Sequence, residues 1–216
     1  MKIEKPRILH YTPADSLTAC LEDDNYIEAR SFHNIIIQDQ DINTLHLDGC
    51  KFQNVRMENC HFDHIDMIDV IFENCELSNV HFNDGAIHRC CFKNCRCMGI
   101  DFADCTLHNI RFIDLNARYA NMSGSKFKQV IFQNCDLTKG SFILCKFQKT
   151  EYDACKLNEC EFHNTPLAGM DLSTSEIEGI SVISEHLRGV IVNEQQALRL
   201  AALLGIIIKD SVVYSN

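Results

Sequence analysis

The sequence predicts an all-β solenoid, a rod made of square coils of twenty residues stacked along one axis. Three observations predict this fold: an apolar residue recurs at every fifth position, phenylalanine recurs at every twentieth, and no insertion breaks either register. A period of five fits neither an α-helix, with about 3.6 residues per turn, nor a strand, which alternates about every 2. The chain therefore has to turn once in every five-residue unit.

The first inward position of each unit holds most of the core. From Phe32 to Val192 this position is apolar in all 33 units, and it contains all thirteen phenylalanines. Phenylalanine occupies positions 32, 52, 72, 92, 112 and 132, and on the opposite side positions 62, 82, 102, 142 and 162. Neighbouring coils are expected about 4.8 Å apart, the spacing of hydrogen-bonded strands, so about eight coils give a rod roughly 40 Å long.

The second inward position lies two residues earlier and holds ten of the thirteen cysteines. The stretch HRCCFKNCRC, residues 88–97, has the density of thiols and imidazoles found in zinc sites. In this register Cys90 and Cys95 point inward on successive faces, Cys97 is central and Cys91 points outward, so the four thiols do not converge. We expect no metal site and no cofactor, buried thiols that act as small hydrophobes, and one exposed thiol at Cys91.

The N-terminal sequence MKIEKPRILH lacks the apolar core of a signal peptide, and no later stretch approaches eighteen apolar residues. We therefore expect a soluble, cytoplasmic protein with reduced thiols. The pairs Cys75/Cys95 and Cys135/Cys155 are twenty residues apart and within reach of a disulfide, but they too are expected to be reduced.

A solenoid must cover its open ends, which predicts three segments: an N-terminal cap (1–26), the β-helix (27–192), and a C-terminal helix and tail for dimerisation (193–216). At the front, Thr12 is a suitable N-cap and Pro13 a suitable first helical residue. These two residues predict a short helix from residue 13 to about 22.

At the back, Asn193 and Gln196 predict a capping box, and the helix is expected to run to Leu204 and stop at Gly205. Its apolar residues cover more than one face, and Val212 and Val213 extend the apolar run. One face can cap the last coil, and the surplus predicts a second copy across a two-fold axis. The alternative is a helix folded wholly onto its own coil. The predicted dimer interface comprises Leu198, Leu200, Leu203, Leu204, Ile206 and Ile208.

The net charge of −10 is concentrated near the front of the chain, where residues 22–84 sum to −11 while residues 85–165 sum to +3. This sign excludes a bare nucleic-acid binder. It fits either a basic partner or simple solubility. The carboxylates of this acidic band fall on all four faces: Asp39, Asp41, Asp48, Glu58, Asp63, Asp66, Asp69, Glu73, Glu76 and Asp84.

The units CKFQN, CHFDH, CELSN and CDLTK resemble those of pentapeptide-repeat proteins over roughly residues 27 to 192. This resemblance implies a right-handed quadrilateral β-helix. The segment LRGVIVNEQQALRLAALLGIIIK resembles the tail of the Qnr-type quinolone-resistance subgroup. That second resemblance implies a homodimer joined at the C-termini. It also implies DNA gyrase and topoisomerase IV as partners, bound by mimicry of duplex DNA.

These features predict a DNA-mimicking protein that protects topoisomerases from quinolones, with the acidic band as its contact surface. Direct binding of nucleic acid or membrane is not expected. No enzymatic activity is expected either, because the sequence has no Gly-rich phosphate loop, nucleophile elbow or long insertion. A scaffold of the same family with a non-topoisomerase protein partner is the alternative that the sequence leaves open.

Overall fold

A computed structural model describes residues 2–8, 10–21 and 25–209. The chain forms a parallel β-solenoid of about seven turns, followed by one helix. From β2 onward each strand pairs in parallel with residues twenty positions further along, as in Phe52 with Phe32 and with Phe72. The predicted twenty-residue coil is thereby confirmed. This is close to the predicted count of about eight coils, and beyond Asp153 the described chain continues to pair through isolated bridges.

The strands follow the coil in chain order. They are β1 (Thr12–Ala14), β2 (Tyr26–Glu28), β3 (Arg30–His33), β4 (Ile36–Gln38), β5 (His46–Asp48), β6 (Lys51–Gln53), β7 (Arg56–Glu58), β8 (Asp66–Ile68), β9 (Ile71–Glu73), β10 (Ala86–His88), β11 (Cys91–Lys93), β12 (Thr106–Ile113), β13 (Lys126–Gln133) and β14 (Lys146–Asp153). Twelve of them form one sheet, in which β12, β13 and β14 each run across two faces, and β4 pairs with β7 separately.

We number the four faces by the inward residue that each contributes to one coil: face 1 by Ile42, face 2 by Leu47, face 3 by Phe52 and face 4 by Met57. Faces 2 and 3 carry the sheet of twelve strands. Face 1 and the later coils of face 4 are held mainly by isolated parallel bridges.

Each corner of a coil is a single residue in the left-handed backbone conformation. Asn54, Asn59, His64 and Asp69, at the four successive corners of one coil, have φ between 51° and 58°. Asn and Asp tolerate this conformation better than other residues with a Cβ. Corner amides also bond from coil to coil, as where Asn54 Nδ2 donates to Asn34 Oδ1 at 2.9 Å. The turn required by the five-residue period is therefore made at this position.

The core consists of stacked aromatic rings. On face 3 the centroids of Phe52 and Phe72 are 4.7 Å apart, and those of Phe72 and Phe92 are 4.8 Å apart. Phe92 meets Phe102 from the opposite face edge-on at 5.6 Å. Both arrangements are favourable for aromatic quadrupoles. The predicted double ladder is confirmed, although some inward residues are only half-buried: Ile42, Phe147, Val182, Leu187 and Val192.

The second inward position has a role beyond small size, which corrects the interpretation of its cysteines as plain hydrophobes. Its side chain donates a hydrogen bond to the carbonyl oxygen 23 residues earlier, as Cys105 Sγ does to Phe82 at 3.0 Å. Ser125 Oγ does the same to Phe102 at 2.7 Å. This position therefore selects a small donor, and a thiol meets both requirements. Burial raises the pKa of Cys105 to about 12, which keeps the donor proton in place.

Burial and the same hydrogen bonds also account for the cysteines of residues 88–97. Cys90, Cys95 and Cys97 are buried, and Cys90 and Cys95 donate to carbonyls of the preceding coil. Cys91 is half-buried rather than exposed, and burial raises its pKa. Among the described residues, no group of three His, Cys, Asp or Glu side chains could hold a metal ion.

The predicted N-terminal helix is wrong. Thr12 and Pro13 instead belong to β1, which pairs in parallel with β3, and only Thr18–Cys20 form a short 3-10 turn. Residues 22–24 lie outside the described part of the chain. A proline can occupy an edge strand, where its missing N–H removes no ladder bond, so the Thr-Pro signal fits both structures. Leu17, which is buried, covers the core at this end.

The N-terminal segment Lys2–Ile8, here called the strap, also departs from a simple cap. It runs along the corner between faces 2 and 3, across several coils. Its Arg7 N–H donates to Asp69 at 2.9 Å and its Glu4 N–H to Asn109 at 3.3 Å, while Gln129 Nε2 donates to the Lys2 carbonyl at 3.2 Å.

The predicted C-terminal helix is confirmed as α1 (Glu194–Leu203), with the Asn193–Gln196 capping box and Gly205 in the left-handed conformation. The buried Gln196 donates from Nε2 to the carbonyls of Leu172 and Ser175 at 2.9 and 2.6 Å. These bonds satisfy carbonyls at the open end of the last coil. Residues 210–216, including the apolar Val212 and Val213, lie outside the described part.

Candidate partner-binding surface

The carboxylates of the acidic band lie on all four sides of the rod, as their positions in the five-residue register predict. Asp41 and Asp63 lie on face 1, Asp48 and Asp66 on face 2, Glu73 on face 3, and Glu58 and Glu76 on face 4. Asp39, Asp69 and Asp84 occupy corners, with φ of 52°, 58° and 54°. The faces differ in how far basic side chains neutralise these carboxylates.

On face 3 and its corner with face 2 the carboxylates are paired. Glu73 lies 3.1 Å from Lys51 Nζ and 3.4 Å from Lys93 Nζ, and the hydrogen bond from Lys51 is the main reason that its pKa is lowered. Asp69 accepts two hydrogen bonds from the Arg89 guanidinium, at 2.7 and 2.8 Å, and is nearly buried beneath the strap. This side of the rod offers little free negative charge.

Face 4 is similarly neutralised. Glu58 pairs with Arg56, and Glu76 Oε2 lies 4.0 Å from Arg96. Exposed pairs of this kind are weak and add little stability. They nevertheless alternate positive and negative side chains along the face, so its field largely cancels over distances beyond a Debye length.

The charge of face 2 changes sign along the rod. At the front, Asp66 lies 3.5 Å from His46, and Asp48 receives a hydrogen bond from Tyr26 at 3.5 Å. Burial, with Asp69 and Glu28 nearby, raises the pKa of Asp48. In the later coils the outward positions of this face become basic, at Lys126, Lys128 and Lys146.

Face 1 keeps its negative charge. Within the described ranges no basic side chain pairs with Asp41, Asp63 or Asp84, and the nearby corner residue Asp39 contacts only the Asn59 amide, at 2.9 Å. Two further carboxylates, Asp101 and Asp104, extend this row beyond the band predicted from sequence. Asp101 is 3.7 Å from His81.

Sequence reasoning missed Asp101 and Asp104 because the charge was summed over blocks of the chain, and residues 85–165 are net basic. The signal was available in the twenty-residue register, which places Asp101 in line with Asp41 and Asp104 in line with Asp84. We call the five carboxylates Asp41, Asp63, Asp84, Asp101 and Asp104 the acidic row.

The predicted dimer interface divides into two groups. Leu200 is 8% exposed and packs against its own last coil, so its assignment to an interface between copies is corrected. The other members are about half exposed and form an apolar end to the rod: Leu198, Leu203, Leu204, Ile206 and Ile208. Arg199 of α1 lies 3.1 Å from Glu178 of the solenoid.

No helix in the described ranges is long and apolar enough to cross a membrane.

Comparison with known proteins agrees with the geometry. Residues 65–140, about a third of the chain, match the family model described as the pentapeptide repeat region, in agreement with the predicted repeat. No curated protein matches significantly.

Several solved structures are similar to this chain. A trypsin-treated variant of QnrB1, a plasmid-mediated fluoroquinolone resistance protein, is 20% identical, with 83% of this chain and 92% of that chain covered and a TM-score of 0.46. Full-length QnrB1 is 21% identical, with coverages of 90% and 95% and a TM-score of 0.42. HetL, a pentapeptide-repeat protein involved in the regulation of heterocyst differentiation in Nostoc sp. strain PCC 7120, is 10% identical, with coverages of 80% and 93% and a TM-score of 0.43.

Proposed function

We propose that this chain, a pentapeptide-repeat protein, is a DNA mimic that binds the DNA-binding surface of a type II topoisomerase and protects the enzyme from quinolones. Its partners are DNA gyrase and topoisomerase IV, as the resemblance of its C-terminal segment to Qnr-type tails implies. The observation that carries the proposal is the acidic row, a line of carboxylates along face 1 and its corner with face 2 that has no lysine or arginine partner within the described ranges.

The density of charge on face 1 supports this assignment. One strand of DNA carries a phosphate about every 3.4 Å along the helix axis. A coil spacing of about 4.8 Å therefore requires about 1.4 negative charges per coil to match one strand. From Asp41 to Asp104 the chain advances a little over three coils and contributes the five carboxylates of the acidic row. Face 1 thus matches the linear charge of one DNA strand, whereas the paired carboxylates of faces 3 and 4 do not add to it.

The C-terminal apolar end supports a homodimer. Ile207, the most exposed of these residues at 88%, and its neighbours would remain in water in a monomer. A two-fold axis through this end would bury them against identical residues and place the acidic rows at the two outer arms. The described part of the rod is uninterrupted, so the contacts are made by its faces rather than by projecting loops.

A supercoiling assay with purified gyrase, plasmid and ciprofloxacin tests the proposal. The unmodified chain should restore supercoiling. The variant Asp41→Lys/Asp63→Lys/Asp84→Lys should need at least about tenfold more protein for the same rescue, equivalent to about 1.4 kcal/mol of lost binding.

The matched control reverses the same number of charges on face 4, by Glu58→Lys/Glu76→Lys/Asp136→Lys. It changes net charge equally, so it should behave like the unmodified chain if face 1 makes the contact. Equal loss in both variants would mean that only bulk charge matters, and the specific role of face 1 would be rejected.

The second candidate is a scaffold for a different protein, and an exposed aromatic cluster favours it. Tyr119 is 50% exposed, with the guanidinium of Arg118 at 5.8 Å and Lys139 Nζ at 5.9 Å from its ring centroid. Tyrosine and arginine are common at the centres of protein interfaces. If no gyrase binding is detected at low salt, where a DNA mimic binds best, this candidate replaces the first.

A further inference from the structure

The corner between faces 2 and 3 forms a groove that already holds an extended peptide, the strap Lys2–Ile8. The three hydrogen bonds that hold it involve the strap backbone and side chains of Asp69, Asn109 and Gln129. These residues are twenty or forty positions apart and therefore line one edge of the rod. Asp69 and Asn109 are 7% and 2% exposed, so the edge presents buried polar groups that are satisfied by a passing main chain.

The strap has the chemistry of a bound peptide. Its apolar residues Ile3, Pro6 and Ile8 are half-buried, whereas Lys5 and Arg7 are exposed. Beside the groove, Ile68, Ile71 and Ile131 occupy outward positions that are otherwise mostly polar, and all three are half-buried. With Lys2, Lys5, Arg7 and one glutamate, the strap carries a charge of +2.

The groove extends past the position of Lys2. An open stretch of about 790 Å³ runs past Gln129, Ile131 and Lys149 to Gly169 and Thr174. From Gln129 to Gly169 there are two coil spacings, about 10 Å, which is the length of about three extended residues. The carboxylates of Asp153 and Asp171 line this stretch.

The two ends of the strap are held unequally. From Arg7, at the coil of Asp69, to Thr12, in β1, the chain crosses three coil spacings, about 14 Å. Five residues reach about 17 Å when fully extended, so the link from Arg7 to β1 is close to its longest possible span. The strap therefore cannot slide along the groove, and displacement would begin at the Lys2 contact, next to the open stretch.

We propose that this corner is a docking groove for an extended, apolar and basic segment of a partner protein, and that the strap is its displaceable internal occupant. The partner segment enters the open stretch beyond Lys2 and takes over the hydrogen bonds of the strap from that end. The groove is separated from face 1 by the whole of face 2, so this site is independent of the proposed contact with a topoisomerase.

Displacement is tested in the full chain with a fluorescein-labelled peptide, KIEKPRI, as the probe. The variant Glu4→Pro/Arg7→Pro removes the two amide donors of the strap, because proline has no N–H. The matched control Glu4→Ala/Arg7→Ala removes the same side chains and keeps both amides. We expect the proline variant to bind the probe at least tenfold more tightly than the alanine variant, as measured by fluorescence anisotropy.

Adding Ile131→Lys to the proline variant places a positive charge in the groove opposite the basic probe without touching the inward core, and it should abolish binding. Hydrogen exchange of residues 2–8 is measured in parallel and should be fast in the proline variant. Equal affinities in the two variants, or binding that survives Ile131→Lys, would overturn the proposal. Slow exchange of the strap in the proline variant would overturn it equally, because the strap would then be a fixed part of the fold.

Discussion

The hydrogen-bonding role of the second inward position gives the sharpest prediction for stability, and Ser125 is the best place to test it. Ser125 is fully buried. Its hydroxyl donates to the Phe102 carbonyl at 2.7 Å and accepts the Cys105 N–H at 2.8 Å. Ser125→Ala leaves both main-chain groups buried and unpaired. Each such group costs about 1–3 kcal/mol, so we expect a loss of about 2–6 kcal/mol in the free energy of unfolding.

Ser125→Cys is the control, because Cys105 itself makes the equivalent pair of contacts one coil earlier, to the Phe82 carbonyl and from the Gly85 N–H. We expect the cysteine variant to lose less than about 1 kcal/mol. Urea unfolding followed by far-UV circular dichroism measures both. A Ser125→Ala variant within about 0.5 kcal/mol of the unmodified chain would refute the assigned role. So would a cysteine variant as unstable as the alanine variant.

Three further predictions concern the core, the thiols and the strap. Gly85→Ala should cost about 1–3 kcal/mol in urea unfolding, because an added Cβ would lie 2.9 Å from a side chain of the preceding coil, and an unchanged midpoint would contradict this packing. Ellman's reagent should label no more than Cys20 and Cys91 in the native protein, since the other cysteines are buried, and labelling of a third thiol would contradict that burial. The strap should lose protection against hydrogen exchange, relative to the intrinsic amide rate, in acid: burial acts to raise the pKa of Asp69, but the hydrogen bonds from Arg89 and the strap outweigh it and leave that pKa lowered. The stabilisation is therefore present above the ordinary pKa of about 3.9 and is lost as the pH falls through the lower folded-state value. A protection factor of the strap that does not change with acid would contradict this link.

The core could be predicted from the sequence because its signal repeats. A single inward phenylalanine such as Phe92 means little, but the unbroken register fixes which residues stack above and below it. The same register also predicts some surface pairs. Arg89 and Lys93 are twenty residues after Asp69 and Glu73, and both pairs form in the structure. Comparing the charges of residues twenty positions apart, rather than summing charge over consecutive stretches of the chain, would have separated the neutralised faces from face 1.

The ends were less predictable because they lie outside the repeat. The Thr12–Pro13 signal is compatible with a helix start or an edge strand, and only the open edge of β3 decides between them. The partial burial of Cys91 could not be predicted from the repeat, for a similar reason. The register places it outward, but the strap, whose Lys5 is close enough to influence the pKa of Cys91, comes from a segment without any repeat.

Because no insertion interrupts the described coils, specificity for a partner must come from the order of side chains along the faces and corners of the rod. Net charge is a poor guide to that specificity, because a charge of −10 spread evenly over four faces would give each face a charge density too low to resemble a nucleic-acid strand. Ion pairing makes the faces differ: basic residues in the same strand or one coil away neutralise carboxylates of faces 3 and 4, whereas the acidic row has no lysine or arginine partner in the described ranges. A partner that reads phosphate spacing would therefore recognise one side of the rod. The proposed contact predicts the orientation of the bound protein, with face 1 toward the partner and the strap-covered corner away from it.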